Sequence, residues 1–335
     1  LAIALAELLC IGSLAAMTHT KFDALWPQVV AGLANGAFTI FLASGLLPVF
    51  EYLFKLTTDI RLLELSDLHH PLLRKLCFAA PGTYHHSLVV GNLAESAAEA
   101  IGANPLLARV CAYYHDIGKA EQPQFFSENQ TTGVNPHDSL APSESFQIIA
   151  EHIRAGEELA RKYPLSPPIV DAIRQHHGTT LLRTIYMKAA RLAEEAAAIV
   201  RPFSAGKTTP SPVPPPDEQD FRYAGPKPQF RESAIVFLAD PIESASRTLP
   251  NASPETVRAM VERIINQRFQ DGQLDECNLT LRELRVIAER FTHTLLNMLH
   301  TRIPYPTDET AAPAEAARQP EQPSAPFAPR QEKSA

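Results

Sequence analysis

Paired cysteines, glycine-rich loops, strand patterns and surplus basic charge are all missing from this chain of 335 residues. Its four cysteines, Cys10, Cys77, Cys111 and Cys277, have no paired spacing and sit in apolar surroundings. That excludes a disulfide framework and suits reduced thiols. No glycine-rich phosphate loop and no internal repeat occur, which removes the P-loop class of nucleotide cradle. Lys and Arg number 30 against 37 Asp and Glu, a net charge of −7. A protein that grips a DNA or RNA polymer needs a basic surface to neutralise many phosphates, so neither polymer is expected as a partner. A small anionic ligand is still accommodated, because metals and a few local cations can hold it. Strand signals are nearly absent, and the soluble part reads as all-α.

What the chain has first is apolar length. Leu1 to Met17 is interrupted only by Glu7, and Val29 to Phe54 carries only Glu51 as a charge, long enough to cross roughly 30 Å of hydrocarbon. Residues 1–54 are therefore expected to be the last two transmembrane helices of a truncated membrane domain. There is no initiator Met, basic n-region or small-residue cleavage site to make Leu1–Met17 a signal peptide. Starting on Leu1 inside an apolar stretch, the 335 residues are expected to be the back part of a longer membrane protein. Lys55, Arg61, Arg74 and Lys75 follow the second span, whereas Thr18 to Gln28 offers only Lys21 beside Asp23. The positive-inside rule puts everything after residue 55 in the cytoplasm.

Residues 55–303 read as one cytoplasmic helical domain. Leu93, Ala97, Ala100 and Ile101 mark one face. Asn104 caps a helix with Pro105 at its first position and Gly118 past its end, which predicts His115 and Asp116 in its last turn. Phe146, Ile149, Ala150 and Ile153 follow helical spacing and place His152 on the flank of a buried stripe. Ser166 caps the next helix, Pro167 opens it, and Ile173 precedes His176, His177 and the terminating Gly178. Residues 202–228 contain eight prolines and read as a surface insertion or linker. Ala234 to Ala239 is an apolar run that periodicity alone cannot assign; a helix bent or finished at Pro241 is expected. Helices over Pro254–Phe269, capped by Ser253, and Leu281–His300, with a Thr280/Glu283 capping box, close the domain. Residues 304–335 are expected to form a disordered tail.

Seven of the twelve histidines fall between His85 and His177, a concentration that neither packing nor solubility requires. One histidine near an apolar face is more often a hydrogen-bonded core residue than a ligand, but this set includes an adjacent His-Asp and an adjacent His-His pair. Imidazole and carboxylate bind Mn, Fe and Zn, and a bridging carboxylate lets two cations sit about 3.5–4 Å apart. In this arrangement Asp116 is the bridge, with His86, His115 and Asp240 on one metal and His152, His176 and His177 on the other. Two cations sharing a water would lower its pKa from about 15.7 toward about 7 and polarise a phosphoryl oxygen. That is equipment for hydrolysing a phosphoester. Lys119 is placed to neutralise charge developing on the phosphoryl oxygens, so Asp116 and Lys119 are the catalytic candidates. Lys119, His137 in Asn135-Pro136-His137-Asp138, and Arg247 are the substrate-binding candidates. From the residues alone His85 is as eligible as its neighbour His86. His69, His70, His293 and His300 read as ordinary positions.

The string His115-Asp116-Ile117-Gly118-Lys119, preceded by Pro81-Gly82-Thr83-Tyr84-His85-His86-Ser87-Leu88, resembles the HD-domain phosphohydrolases, specifically the seven-transmembrane receptor HD family that hydrolyses cyclic di-AMP. The resemblance covers roughly residues 30 to 303. It includes Phe125-Phe126-Ser127-Glu128-Asn129-Gln130, His176-His177-Gly178-Thr179 and Phe221-Arg222-Tyr223-Ala224-Gly225-Pro226-Lys227-Pro228. The family's ligand order selects His86 over His85, then His115 with Asp116, His152, His176, His177 and Asp240. The departure is the proline-enriched stretch between His177 and Asp240. Gly178-Thr179-Thr180 replaces the Gly-Tyr-Pro that marks the cyclic di-GMP branch.

What the resemblance implies is an HD-domain helical bundle preceded by the C-terminal part of a multi-span helical membrane domain. It implies two divalent metal ions, Mn or Fe, and opening of cyclic di-AMP to linear pApA. It also implies multi-pass insertion in the inner membrane with the catalytic domain in the cytoplasm; a homodimer is left open. The competing readings are an HD phosphohydrolase acting on another nucleotide, such as a dNTP or ppGpp, and a non-catalytic nucleotide-binding membrane receptor.

Overall fold

Proline placement sets many of the element boundaries. Pro71, Pro81, Pro105, Pro142, Pro167 and Pro254 each stand at the first position of a helix, where the missing N–H removes no hydrogen bond and the fixed φ suits the first turn. The computed structural model describes residues 2–19, 21–54, 56–130, 133–200, 215–249 and 253–300. Twelve α-helices are found among them: α1 Ala2–Thr18, α2 Phe22–Phe54, α3 Asp59–Leu65, α4 Pro71–Ala79, α5 Pro81–Ala100, α6 Pro105–Tyr114, α7 Pro142–Lys162, α8 Pro167–Gln175, α9 Arg183–Val200, α10 Arg231–Ser246, α11 Pro254–Gln270 and α12 Leu281–His300. Short 3-10 segments fill the connections, and the β pairing among the described residues is one isolated bridge between Leu181 and Arg222. The all-α expectation holds. Leu1–Leu296 makes one compact unit and Asn297–Ala335 a second, most of which lies outside the described residues, as does the tail expected over 304–335.

α2 is long and apolar enough to cross a membrane over Leu25–Glu51, by length and composition. α1 is a shorter apolar helix over Leu5–Thr18, so it does not meet the criterion expected of a second span. The two helices pack along one another, and the Asn35 amide donates to the Glu7 carboxylate between them.

α5, α6 and α10 surround the core of the remainder. Leu93, Tyr114, Ile173, Phe237, Ile287 and Phe291 are fully buried there, each worth about 1.5–3 kcal/mol of transfer free energy when aliphatic or aromatic side chains leave water. α10 is buried on every side from Ser233 to Asp240 and again at Ile242 and Glu243. That explains the uninterpretable periodicity of Ala234–Ala239: a helix enclosed all round has no polar face to set a period. It continues through Pro241 instead of ending there.

Three expectations change. α6 stops at Tyr114 instead of running up to Gly118; His115 is its C-cap and a 3-10 segment, Ile117–Glu121, follows. The break occurs because Asp116 leaves helical geometry, with φ −109° and ψ 15°. Ser166 stands at the N-cap of α8 but makes no side-chain cap bond. The proline-rich stretch lies partly outside the described residues, and its second half is more than a linker, since Phe221 and Tyr223 are buried. The Asn104 cap, the Ser253 cap and the reciprocal Thr280/Glu283 box are present as expected.

Candidate metal centre

Five helices deliver the chemistry-bearing residues to one place. His86 lies in the second turn of α5 on its buried side, while His85, one residue back, is exposed. His115 and Asp116 follow the end of α6. His152 lies midway along α7, His176 caps α8 with His177 next, and Asp240 comes from α10. Two glycines hold these pieces close. A Cβ on Gly118 would stand 1.8 Å from the His152 carbonyl oxygen and 2.6 Å from the Gly156 nitrogen. Only bare backbone at 118 lets the segment after Asp116 lie against the turn of α7 that carries His152. Gly178, at φ +53°, makes the left-handed turn after the His pair.

Asp116 is the centre of the cluster and is fully buried. Its Oδ2 lies 3.1 Å from His115 Nε2 and 3.7 Å from His86 Nε2. Its Oδ1 lies 3.4 Å from His176 Nε2 and 3.5 Å from His152 Nε2. Asp240 faces the same space from the other side, with Oδ1 3.1 Å from His86 Nε2 and Oδ2 3.7 Å from His177 Nδ1. The side chains thus form two sets that share one residue: His86, His115, Asp116 and Asp240, and Asp116, His152, His176 and His177. Within each set one ligand atom per residue lies within 4.8 Å of every other.

The donor atoms could hold cations. Both carboxylate oxygens of Asp116 and Nε2 of His115 are buried without a hydrogen-bond partner, a costly condition for groups removed from water. The Nδ1 atoms of His115, His152 and His176 donate to the carbonyls of Ala112, Ile149 and Ile173. We assign each ring the tautomer with a bare Nε2 on that basis. The lone pairs of His152 and His176 then meet at 3.1 Å, a repulsive contact that a shared cation would relieve. Imidazole and carboxylate donors in this mixture suit first-row divalent ions.

Protonation agrees with that use. Burial would raise the Asp116 carboxyl, but His115 and Lys119 hold it well below the carboxylate range. Burial is likewise overridden at Asp240, which the His86 hydrogen bond lowers. Burial brings His152 down to about 3, and burial with His176 lowers His177, so both are neutral. At His86 burial works downward, yet the hydrogen bonds to Asp240 and Glu243 raise the pKa to about 9.

Lys119 joins the cluster. Its ammonium is 2.7 Å from Asp116 Oδ2 as an ion pair and 3.0 Å from Glu128 Oε1 as a hydrogen bond. Burial opposes its charge, but Asp116, Glu128 and Asp240 together raise its pKa. It borders two cavities. One, of about 330 Å³, is lined by His86, Glu128, Ser244 and Arg247; the other, of about 220 Å³, by His152, His177, Tyr223 and Arg268. Arg247 therefore reaches a cavity wall, although its guanidinium is bonded to Glu243. His137 lies apart from both linings: its Nε2 bonds to the Phe125 carbonyl, and its own carbonyl accepts from Lys188.

Three residues near the cluster were not among the candidate site residues. Glu243 bonds His86 Nδ1 at 2.5 Å; its i+3 spacing from Asp240 on one helix could have flagged it. Tyr223 stacks on His177, with centroids 4.4 Å apart and planes at 21°. Arg268 reaches the second cavity from α11, beyond any motif.

Comparison with known proteins agrees with this architecture. Residues 83–245 match the HD domain. The chain is 45% identical over 278 residues to the cyclic-di-AMP phosphodiesterase PgpH of Bacillus subtilis (strain 168), covering 83% of this chain and 36% of that protein. It thus spans about a third of the length of that relative. A crystal structure of the Listeria monocytogenes phosphodiesterase PgpH HD domain is 41% identical, with TM-score 0.61, and covers 69% of this chain and 100% of that one. The same domain in complex with cyclic-di-AMP gives TM-score 0.59 at 41% identity, over 70% of this chain and 100% of that one. With an HD-domain match over residues 83–245 and a 41% identical HD domain covered along its whole length, the chain belongs to the HD phosphohydrolase family.

Proposed function

We propose that this chain is a metal-dependent phosphodiesterase that opens a cyclic dinucleotide, cyclic di-AMP, to linear pApA. The observation that carries the reading is Asp116, whose two oxygens face two different sets of imidazoles across one buried space. The names of the relatives and the cyclic-di-AMP complex of one of them support the choice of substrate.

His86, His115, Asp116 and Asp240 would hold one cation, and Asp116, His152, His176 and His177 the other; the donor mixture suits several first-row divalent ions, and the family resemblance is what points to Mn or Fe. Such a pair supplies an acidified water and polarises a phosphoryl oxygen. The chain's own groups do the rest. Asp116 fixes the separation of the two sets. Lys119, kept charged by Asp116 and Glu128, lies at the edge of both cavities, where negative charge develops on a bound phosphodiester. Arg268 lines the second cavity with no carboxylate within ion-pair distance among the described residues, so its guanidinium is available to an anion. Arg247 takes the corresponding place in the first cavity. His137, expected as a substrate contact, would have to act from outside these walls.

Residues 55–303 are the cytoplasmic catalytic domain in this reading, and α1 and α2 the end of a multi-pass anchor of the seven-transmembrane receptor type in the inner membrane. The test is turnover of cyclic di-AMP, cyclic di-GMP and ppGpp by the chain in detergent with manganese. Product pApA from the first substrate is expected, and its disappearance in His115→Ala/Asp116→Ala with helical circular dichroism retained. Turnover surviving in that double variant would defeat the mechanism.

A further inference from the structure

We infer that Glu243, clamped by Arg247, is the positioning residue for His86 and makes the two halves of the metal pair unequal; the inference rests on the two-metal reading above. Four histidines turn Nε2 toward Asp116, and in three of them Nδ1 donates to the carbonyl three residues earlier: Ala112 at 2.7 Å, Ile149 at 2.5 Å and Ile173 at 2.8 Å. The backbone of each local helix orients those rings with no help from a side chain. His86 is the exception. Its Nδ1 meets Glu243 Oε2 at 2.5 Å, across 157 residues of sequence, and Glu243 is 3% exposed.

A carboxylate is a stronger acceptor than a carbonyl. It fixes the tautomer, aims Nε2 at the cation position and makes that nitrogen more basic. Glu243 lies three residues after Asp240, so a single face of α10 provides one carboxylate that touches His86 Nε2, at 3.1 Å, and another that holds its Nδ1. The remaining oxygen of Glu243 accepts from Arg247 Nε at 2.7 Å and pairs with its Nη2 at 2.7 Å, from the next turn. That pairing compensates a carboxylate that would otherwise be buried with one side open. Charge separates the two sets as well. The His86 set contains Asp116 and Asp240 with Glu243 behind them, whereas the other contains three imidazoles and only the shared Asp116. The first set is the harder one and depends on Glu243; the second does not touch it.

The test is an equilibrium titration with Mn²⁺, reading free Mn²⁺ by electron paramagnetic resonance, on the chelator-stripped full chain in detergent. Wild type is expected to bind two ions. Glu243→Ala should keep one site at wild-type affinity and weaken the other by about 10–100-fold. Glu243→Gln, whose amide oxygen still accepts from Nδ1–H but carries no charge, should weaken the same site to a lesser degree, and it decides the matter if the alanine variant does not fold. Added to His86→Ala, Glu243→Ala should cause no further loss. Equal weakening of both sites, unchanged affinity at both, or additive loss in the double variant would each overturn the role of Glu243. A wild-type chain binding fewer than two ions would instead overturn the two-metal centre itself.

Discussion

Asp116 gathers the cluster, but two other residues make sharper tests of its surroundings. Gly118→Ala would push a methyl group into the His152 carbonyl at 1.8 Å, backbone against backbone, with no rotamer to relieve it. We expect a loss of about 3 kcal/mol or more, since overpacking a tight contact typically costs about 1–3 kcal/mol even where side chains can shift; urea unfolding of the metal-free chain measures it, and an unchanged midpoint would show that the two segments separate easily. Arg268→Ala removes from the second cavity a guanidinium that lies over the Phe237 ring and has no carboxylate within ion-pair distance among the described residues. Hydrogen bonds to charged groups are worth about 1.5–3 kcal/mol, so kcat/KM for cyclic di-AMP should fall roughly 10–100-fold with the Mn²⁺ content unaltered. At this scale the choice between His85 and His86 was open from the residues and was made by the family's ligand order; the structure gives its physical reason, since His86 falls in register with the buried Val90, Leu93 and Ala97, and His85 does not. Glu243 was harder to see, because a glutamate becomes a partner for imidazole only when α5 and α10 pack together.

At the scale of elements, proline at the first helical position, Asn104, Ser253 and the Thr280/Glu283 box were readable in advance, because caps act within four residues of sequence. What sequence could not reveal is where tertiary demand overrides local preference. α6 ends three residues early so that Asp116 can turn inward, and α10 passes through Pro241 because its neighbours enclose it. The junction of α7 and α8 offers a pH test remote from the metal cluster. Glu157 on α7 accepts from Arg174 of α8 at 2.9 Å, and that hydrogen bond lowers its pKa from 4.5. A depressed folded-state pKa gives stability that is present above about pH 4.5 and is lost as pH falls through the folded value. The pair is partly exposed, so the contribution is below about 1 kcal/mol. Glu157→Gln should therefore be slightly less stable than wild type at pH 7, with the difference closing on acidification toward pH 3; a difference that widens at low pH would contradict the assignment.

Over the whole molecule, cluster residues as far apart as His86 and Glu243, 157 positions, end within hydrogen-bond distance. The proline-rich stretch before Asp240, which seemed to threaten its register, instead returns through Tyr223, stacked on His177. Long-range convergence of this kind was visible in the sequence only as an excess of histidines and through the family's ligand order; the distances that make it a site came from the packing of α5 to α10. A cation held by the folded state alone also stabilises it by mass action, about 2.7 kcal/mol at 100 times Kd. Chelation should accordingly lower the thermal midpoint of the chain, and the double variant His115→Ala/Asp116→Ala should show no such drop. The most direct measurement is the rate of pApA release from cyclic di-AMP by chelator-stripped chain as Mn²⁺ is added back. We expect no product without metal and full activity once two ions per chain are bound; product from the metal-free chain, or a rate indifferent to added metal, would contradict a hydrolase built around Asp116.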